Sequence, residues 1–222
     1  MKIIWLGHGS FRIEIADQVL LMDPWFTGNP SFPEDRKAEA VAGATHVLLT
    51  HGHGDHASDA ASLGLPVAGM VELMKWLDDQ GVETTGFNKG GTITLGDVKV
   101  TMVNATHSST TPDGGHAGSE AGFMISGEGR TIYFSGDTDI MADMEWMGEL
   151  HRPDIGILCA GGHYTMGMKR AAWAAKRYFQ FRTVIPGHYK TFPLLAQDAK
   201  AMIAALPDVQ VLTPEVMEVV TL

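Results

Sequence analysis

A chain of 222 residues, 45% of them hydrophobic, is long enough to build one sizeable core, and 1–222 is read as a single domain. Its 26 acidic residues against 16 basic ones give a formal net charge of -10, which opposes tight non-specific binding to nucleic acid or to an anionic membrane and favours solubility. The single cysteine, Cys159, excludes an internal disulfide; with no secretory pattern at the start and no apolar run of bilayer-spanning length, a cytoplasmic location is expected.

The predicted elements begin with three short strands, Lys2 to Leu6, Phe11 to Ile15 and Val19 to Met22, separated by Gly7-His8-Gly9-Ser10 and Asp17-Gln18. Such a meander makes an antiparallel sheet, and Pro24 ends the third strand because proline has no N–H to give to a ladder. Thr27 to Pro33 is a loop by composition. His46 to Thr50 is a short buried strand running straight into His51, and helices are expected over Asp59 to Leu63 and Val71 to Asp79. Thr92 to Leu95 and Val98 to Val103 form a hairpin around Gly96-Asp97, and Ala121 to Ile125 pairs with Thr131 to Phe134 through Gly127-Glu128-Gly129.

The rear half changes rhythm. Helix Met141 to Leu150, strand Ile155 to Cys159, helix Met168 to Phe179, strand Thr183 to Pro186, helix Leu194 to Ala205 and a strand near Val209 to Leu212 alternate. Strands first and strand–helix alternation afterwards imply a layered α/β fold with mixed sheets covered by helices. Met144 and Met147 share a helical face, which is read as core or as a contact between copies, so homo-oligomerisation is allowed.

The strongest local signal is His51-Gly52-His53-Gly54-Asp55-His56, three imidazoles and a carboxylate within six residues at a strand end. Imidazole nitrogen and carboxylate oxygen suit zinc and related divalent ions, and the two glycines let the chain turn sharply enough for the side chains to converge. A looped backbone can send His51 and His53 to one ion and Asp55 and His56 to another. Further ligands must then come from later strand ends. His107, Asp137 and His188 each follow a strand and a small residue, which is how α/β sheets build sites beyond their strands. His8 and Asp23 also end strands. They are expected beside the cluster, supporting ligands or facing the substrate, and not as ligands: Asp23 accepting the free N–H of a ligand such as His51 or His53, and His8 meeting the substrate from above.

These segments resemble the metallo-β-lactamase fold superfamily, in the order His51 to His56, His107, Gly136-Asp137-Thr138 and Pro186-Gly187-His188. Within it the chain is most similar to the UPF0173 metal-dependent hydrolases, relatives of ascorbate-6-phosphate lactonase-like proteins. Gly7-His8-Gly9-Ser10-Phe11, Asp23 to Pro30, Asn104 to Ser109 and Gly187 to Pro193 carry that likeness. The resemblance implies a four-layered αββα sandwich with two divalent ions at one edge: zinc first, manganese or iron as alternatives. It assigns His51, His53 and His107 to one ion, Asp55, His56 and His188 to the other, and Asp137 to a bridging position. Histidine at position 53, where oxygen-reducing di-iron relatives carry an acid, favours hydrolysis. His163, in Gly161-Gly162-His163-Tyr164, departs from the Gly-Asp pair that members of the small family tend to carry, and is placed either in the pocket or at the surface.

The expected chemistry is metal-dependent hydrolysis of a small ester, lactone or related substrate. Coordination lowers the pKa of water from about 15.7 toward 7, a hydroxide bridging the ions attacks, and Asp55 acts as ligand and base. A phosphodiesterase acting on a small cyclic or phosphorylated substrate is the alternative, with Arg12, Lys89, Arg130, Lys169 and Lys190 as unplaced cations. A non-enzymatic metal-binding protein ranks below both, because a complete ligand set argues for catalysis.

Overall fold

The computed structural model describes all 222 residues. Strands β1 (Lys2–Trp5), β2 (Phe11–Ile15) and β3 (Gln18–Met22) form the expected meander. In β2, Phe11, Ile13 and Ile15 are buried, while Arg12 and Glu14 turn to the other face and pair with each other. Beyond β3 lie β4 (His46–Leu49), β5 (Val67–Met70) and β6 (Thr84–Phe87), all parallel to it, and β14 (Val219–Thr221) closes the other edge against β1.

The second sheet repeats this plan. It consists of β7 (Thr92–Leu95), β8 (Val98–Asn104), β9 (Ala121–Gly127) and β10 (Arg130–Phe134), which pair antiparallel in turn. After them come β11 (Ile155–Cys159), β12 (Thr183–Gly187) and β13 (Gln210–Val211), all parallel. Both sheets therefore run through an antiparallel meander into a parallel half, a repeat of architecture that the residues do not spell out. Pro186 is tolerated inside β12 because β13 pairs only with Thr183 and Val184, so no ladder bond is asked of it there.

The two sheets face each other across one core of 60 buried residues. Phe11 meets Phe134 edge-on at 6.0 Å, and Phe87 stacks on Phe123 at 6.0 Å, each pair joining one sheet to the other. Helix α3 (Val71–Asp78) packs Leu73, Met74 and Leu77 against β5 and β6. Helix α5 (Met168–Tyr178) lies on β11, between α4 (Met144–His151) and α6 (Lys200–Ala205). The layers are thus helix, sheet, sheet, helix. Met144 and Met147 are core residues, whereas Trp146 and Trp173 are 44% and 53% exposed on the outer layer. No helix is long and apolar enough to cross a membrane.

Several expected boundaries move. The helix placed over Asp59 to Leu63 is only a 3-10 turn at Ala60–Leu63, and an α-helical turn lies just before it, inside the histidine motif, as α2 (Gly54–Ala57). The helix expected from Leu194 begins at Lys200, whose N–H is held by the Asp198 carboxylate at 3.0 Å. Strands β5, β6 and β14 and the short helix α1 (Lys37–Val41) were not anticipated.

Candidate metal centre

Strands β1, β3 and β4 run the same way, as do β8, β10 and β12, so their carboxyl ends meet along one rim of the sandwich. That rim receives His8, Asp23, His51, His107, Asp137 and His188. The backbone there is strained: His8, Asp23 and His188 hold φ of 52°, 45° and 57°, a left-handed region that non-glycine residues seldom occupy. The His188 N–H donates to the His8 carbonyl at 2.8 Å and so ties the two sheets together at the site. Gly9 is required by proximity, because a Cβ there would stand 2.8 Å from Cε1 of His56.

Two groups of ligand atoms result. His51, His53 and His107 form the first, with Nε2 of His51 and Nδ1 of His53 only 3.0 Å apart. His8, Asp55, His56 and His188 form the second. Asp137 stands between them: its Oδ2 is 3.6 Å from Nε2 of His107, 3.5 Å from that of His56 and 3.1 Å from that of His188.

Asp23 also lies within reach of His51 and His56, but its oxygens are already engaged. Oδ1 accepts the Thr50 N–H at 2.7 Å; Oδ2 accepts the Thr50 hydroxyl at 2.6 Å and Nδ1–H of His56 at 2.8 Å. Thr50 Oγ1, having given its proton to Asp23, accepts Nδ1–H of His51 at 3.0 Å. Both imidazoles therefore turn Nε2 toward the cluster. Nε2 of His56 is wholly buried with no hydrogen-bond partner, and a divalent ion suits that orphaned atom and its nitrogen and oxygen neighbours.

Burial holds His51 well below the ordinary imidazole range and lowers His53 and His107, so all three favour the neutral ligand form. Burial likewise takes His8 down to about 4 against the opposing hydrogen bond of Asp55. His188 behaves otherwise. Burial pulls it down, but the Asp137 charge and hydrogen bonds to Asp137 and Asp55 outweigh this and raise it to about 9. His56 is raised well above its usual value against the same penalty by Asp137, Asp55 and Asp23. Burial would raise Asp137 and Asp55, yet the charges of His188 and His56 keep Asp137 well below the carboxylate range, and the His56 charge with hydrogen bonds from His188 and His8 does the same for Asp55.

These opposite shifts give a signed expectation. In the metal-free protein the raised His188 adds stability that is fully present below its ordinary 6.5 and is lost as pH climbs through about 9. An ion must displace that proton, so metal uptake at pH 7 is expected to release protons, and affinity to rise with pH up to about 9. Calorimetry in buffers of different protonation enthalpy measures the release; uptake at pH 7 with none would overturn the assignment.

The structure thus brings all seven predicted ligands to one rim and departs from expectation around them. Asp23 accepts the N–H of a ligand imidazole as expected, but that ligand is His56 and not His51 or His53, because the one-turn helix α2 swings His56 back beneath the strand end. His8 lies inside the second ligand group, with Nε2 bonded to Asp55 Oδ2 at 2.9 Å and Nδ1 to Thr191 Oγ1 at 2.9 Å. His163 is exposed, its ring 4.6 Å from that of Tyr164, in a neighbouring cleft that His107 also borders. A cleft of about 450 Å³ opens over the ligands, bounded by Trp25, Ser108, Tyr164 and Phe192. Thr50, Trp25 and Phe192 were assigned no role from sequence, although each adjoins a recognised motif.

Residues 2–188 match the family model for a beta-lactamase superfamily domain. A UPF0173 metal-dependent hydrolase of Dinoroseobacter shibae is 64% identical, covering 100% of both chains, and one from Paracoccus denitrificans is 63% identical over the same share. A solved metallo hydrolase from the archaeon Ignicoccus hospitalis is 31% identical, covers 99% of this chain and 97% of its own, and superposes with a TM-score of 0.87. With its αββα layers and a rim of histidines and aspartates, the chain belongs to the UPF0173 metal-dependent hydrolase family of the metallo-β-lactamase fold superfamily.

Proposed function

We propose that the protein is a dinuclear hydrolase, with zinc as the favoured metal, that adds water to the carbonyl of a small ester or lactone in the cytoplasm. The observation that carries this reading is the pair of ligand groups with Asp137 between them. His51, His53 and His107 would hold one ion, Asp55, His56 and His188 the other, and Asp137 would fix their spacing. Bound divalent ions would lower the pKa of water and polarise the scissile oxygen.

The remaining work falls to this chain's side chains. Asp55 and Asp137 both border the cleft but differ in access: the Asp55 side chain is 32% exposed, while that of Asp137 is 4% exposed. Asp55 is therefore the carboxylate that can meet water and substrate together. Its Oδ2 is tied to His8, which leaves Oδ1 to orient the attacking water and take its proton. Water adds to the carbonyl carbon, the carbon–oxygen bond breaks, and the departing alcohol receives the proton held by Asp55. His8 fixes that carboxylate while Thr191 fixes His8.

After reconstitution with zinc, about two ions per chain are expected, together with turnover of a member of an ester and lactone panel. His107→Ala should lower the metal content toward one ion. Absence of metal after reconstitution would overturn the proposal.

A further inference from the structure

The cleft over the ligands bears on which acyl group is accepted, a question that rests on the ester and lactone reading above. Trp25, Tyr164 and Phe192 line its mouth, and no lysine or arginine does. Trp25 and Phe192 lie 6.2 Å apart at 36°, near enough to make one apolar wall. The Trp25 indole N–H is already given to the Thr27 carbonyl at 2.9 Å, so its ring has no donor left for a polar substrate group. The His8 ring meets Trp25 at 5.2 Å and Phe192 at 5.6 Å, edge to face, which fixes the wall to the histidine that holds Asp55.

The wall is also braced from behind. Buried Asp59 accepts the N–H groups of Phe26 and Thr27 and the Thr27 hydroxyl, each at 2.8 Å, and pairs with Lys37 at 2.7 Å. The loop that carries Trp25 is thereby set before substrate arrives, which limits the ordering penalty of binding.

Two cations on adjoining segments, Arg170 and Lys190, are engaged elsewhere. Arg170 borders the neighbouring cleft and grips both oxygens of Asp139, at 2.5 and 2.7 Å. Lys190 pairs with Glu215 at 3.4 Å and lies over the Tyr189 ring. Of the cations considered from sequence, Arg12 is bound to Glu14, Lys89 to Asn104 and Arg130 to Asp154, and none of them, Lys169 included, lines the cleft. Beyond the metal ligands, nothing here would clamp a phosphoryl or carboxylate tail.

We propose that the site selects a neutral ester or lactone whose acyl part carries an aromatic or similarly flat apolar group, laid against Trp25 and Phe192, which determine specificity. Methyl phenylacetate, methyl acetate and monomethyl glutarate test this, because their small leaving group does not compete for the wall. The metal-loaded protein is followed by proton release, with metal content measured alongside.

Methyl phenylacetate is expected to exceed both other esters in kcat/KM by about tenfold or more, from apolar burial and ring contact. Trp25→Ala and Phe192→Ala should each cut that preference by about tenfold through KM, with metal content retained, and Trp25→Phe should restore most of it. Equal kcat/KM for the phenylacetate and acetate esters, or a preference unaltered in both alanine variants, overturns the inference while leaving the hydrolase reading standing. Faster turnover of the anionic glutarate ester also overturns it. If a fully metal-loaded protein hydrolyses none of the three esters and no other ester or lactone, the hydrolase reading itself fails and takes this inference with it.

Discussion

Asp55→Asn is expected to lower turnover by about 10²- to 10⁴-fold at saturating zinc while leaving the fold in place. The amide keeps the shape of the side chain and can still accept from Nε2 of His8, so the packing that holds the residue is preserved. What disappears is the charge and the ability to take a proton. In the parent protein His56 and His188 keep Asp55 ionised against the pull of burial, so the carboxylate is in its basic form at neutral pH. Steady-state kinetics on any confirmed substrate, with metal content and thermal unfolding measured on the same sample, separates loss of the base from loss of an ion. Parent-like kcat with full metal would remove Asp55 from the role of base.

Asp23→Ala should act through metal retention and stability. Asp23 touches no open space: its carboxylate is wholly buried and takes three hydrogen bonds, from the Thr50 backbone, the Thr50 hydroxyl and His56. Removing it frees Nδ1 of His56 from its fixed tautomer and unties the Thr50 hydroxyl that orients His51, so one ligand on each side of the site loses its support. Loss of such support typically lowers metal affinity by about 10- to 100-fold. Leaving the buried Thr50 N–H without its acceptor adds a loss of about 1–3 kcal/mol in the metal-free protein. Competition with a chelator gives the affinity and urea unfolding gives the stability. Unchanged values for both would refute the supporting role.

How far the sequence could be read follows from how local each feature is. The candidate ligands could be picked out because chemistry-bearing residues crowd into His51 to His56 and because His107, Asp137 and His188 each follow an apolar run that ends at the rim. The meander and the two hairpins were legible for the same reason, since alternation and turn glycines lie within a few residues of one another. Strand β5 left no such mark: Val67 to Met70 is buried throughout, so it does not alternate, and Pro66 and Gly69 argue locally against a strand. Strand β14 is defined by its pairing with β1 at the far end of the chain, which no window of sequence reports. Which ligand imidazole would pair with Asp23 was not legible, because it depends on how one helical turn rotates. Within α2 the adjacent residues Asp55 and His56 diverge, Asp55 toward the cleft and His56 toward Asp23. The aromatic wall was hidden for a different reason: Trp25 and Phe192 belong to opposite ends of the chain and meet only across the rim.

The pairing of β1 with β14 also sets an order of events at the ribosome. Strand β1 waits for β14 before its outer edge is covered, with Ile3 opposite Val220 and Ile4 opposite Val219. At about 5–20 residues per second that interval is on the order of ten seconds or more, during which the backbone of Lys2 to Trp5 is an open template for strand addition by another nascent chain. His188 is the last of the seven candidate ligands to be translated, and Val219 to Thr221 come after it. Every donor of the proposed metal centre therefore leaves the ribosome before the strand that closes this edge of the sheet.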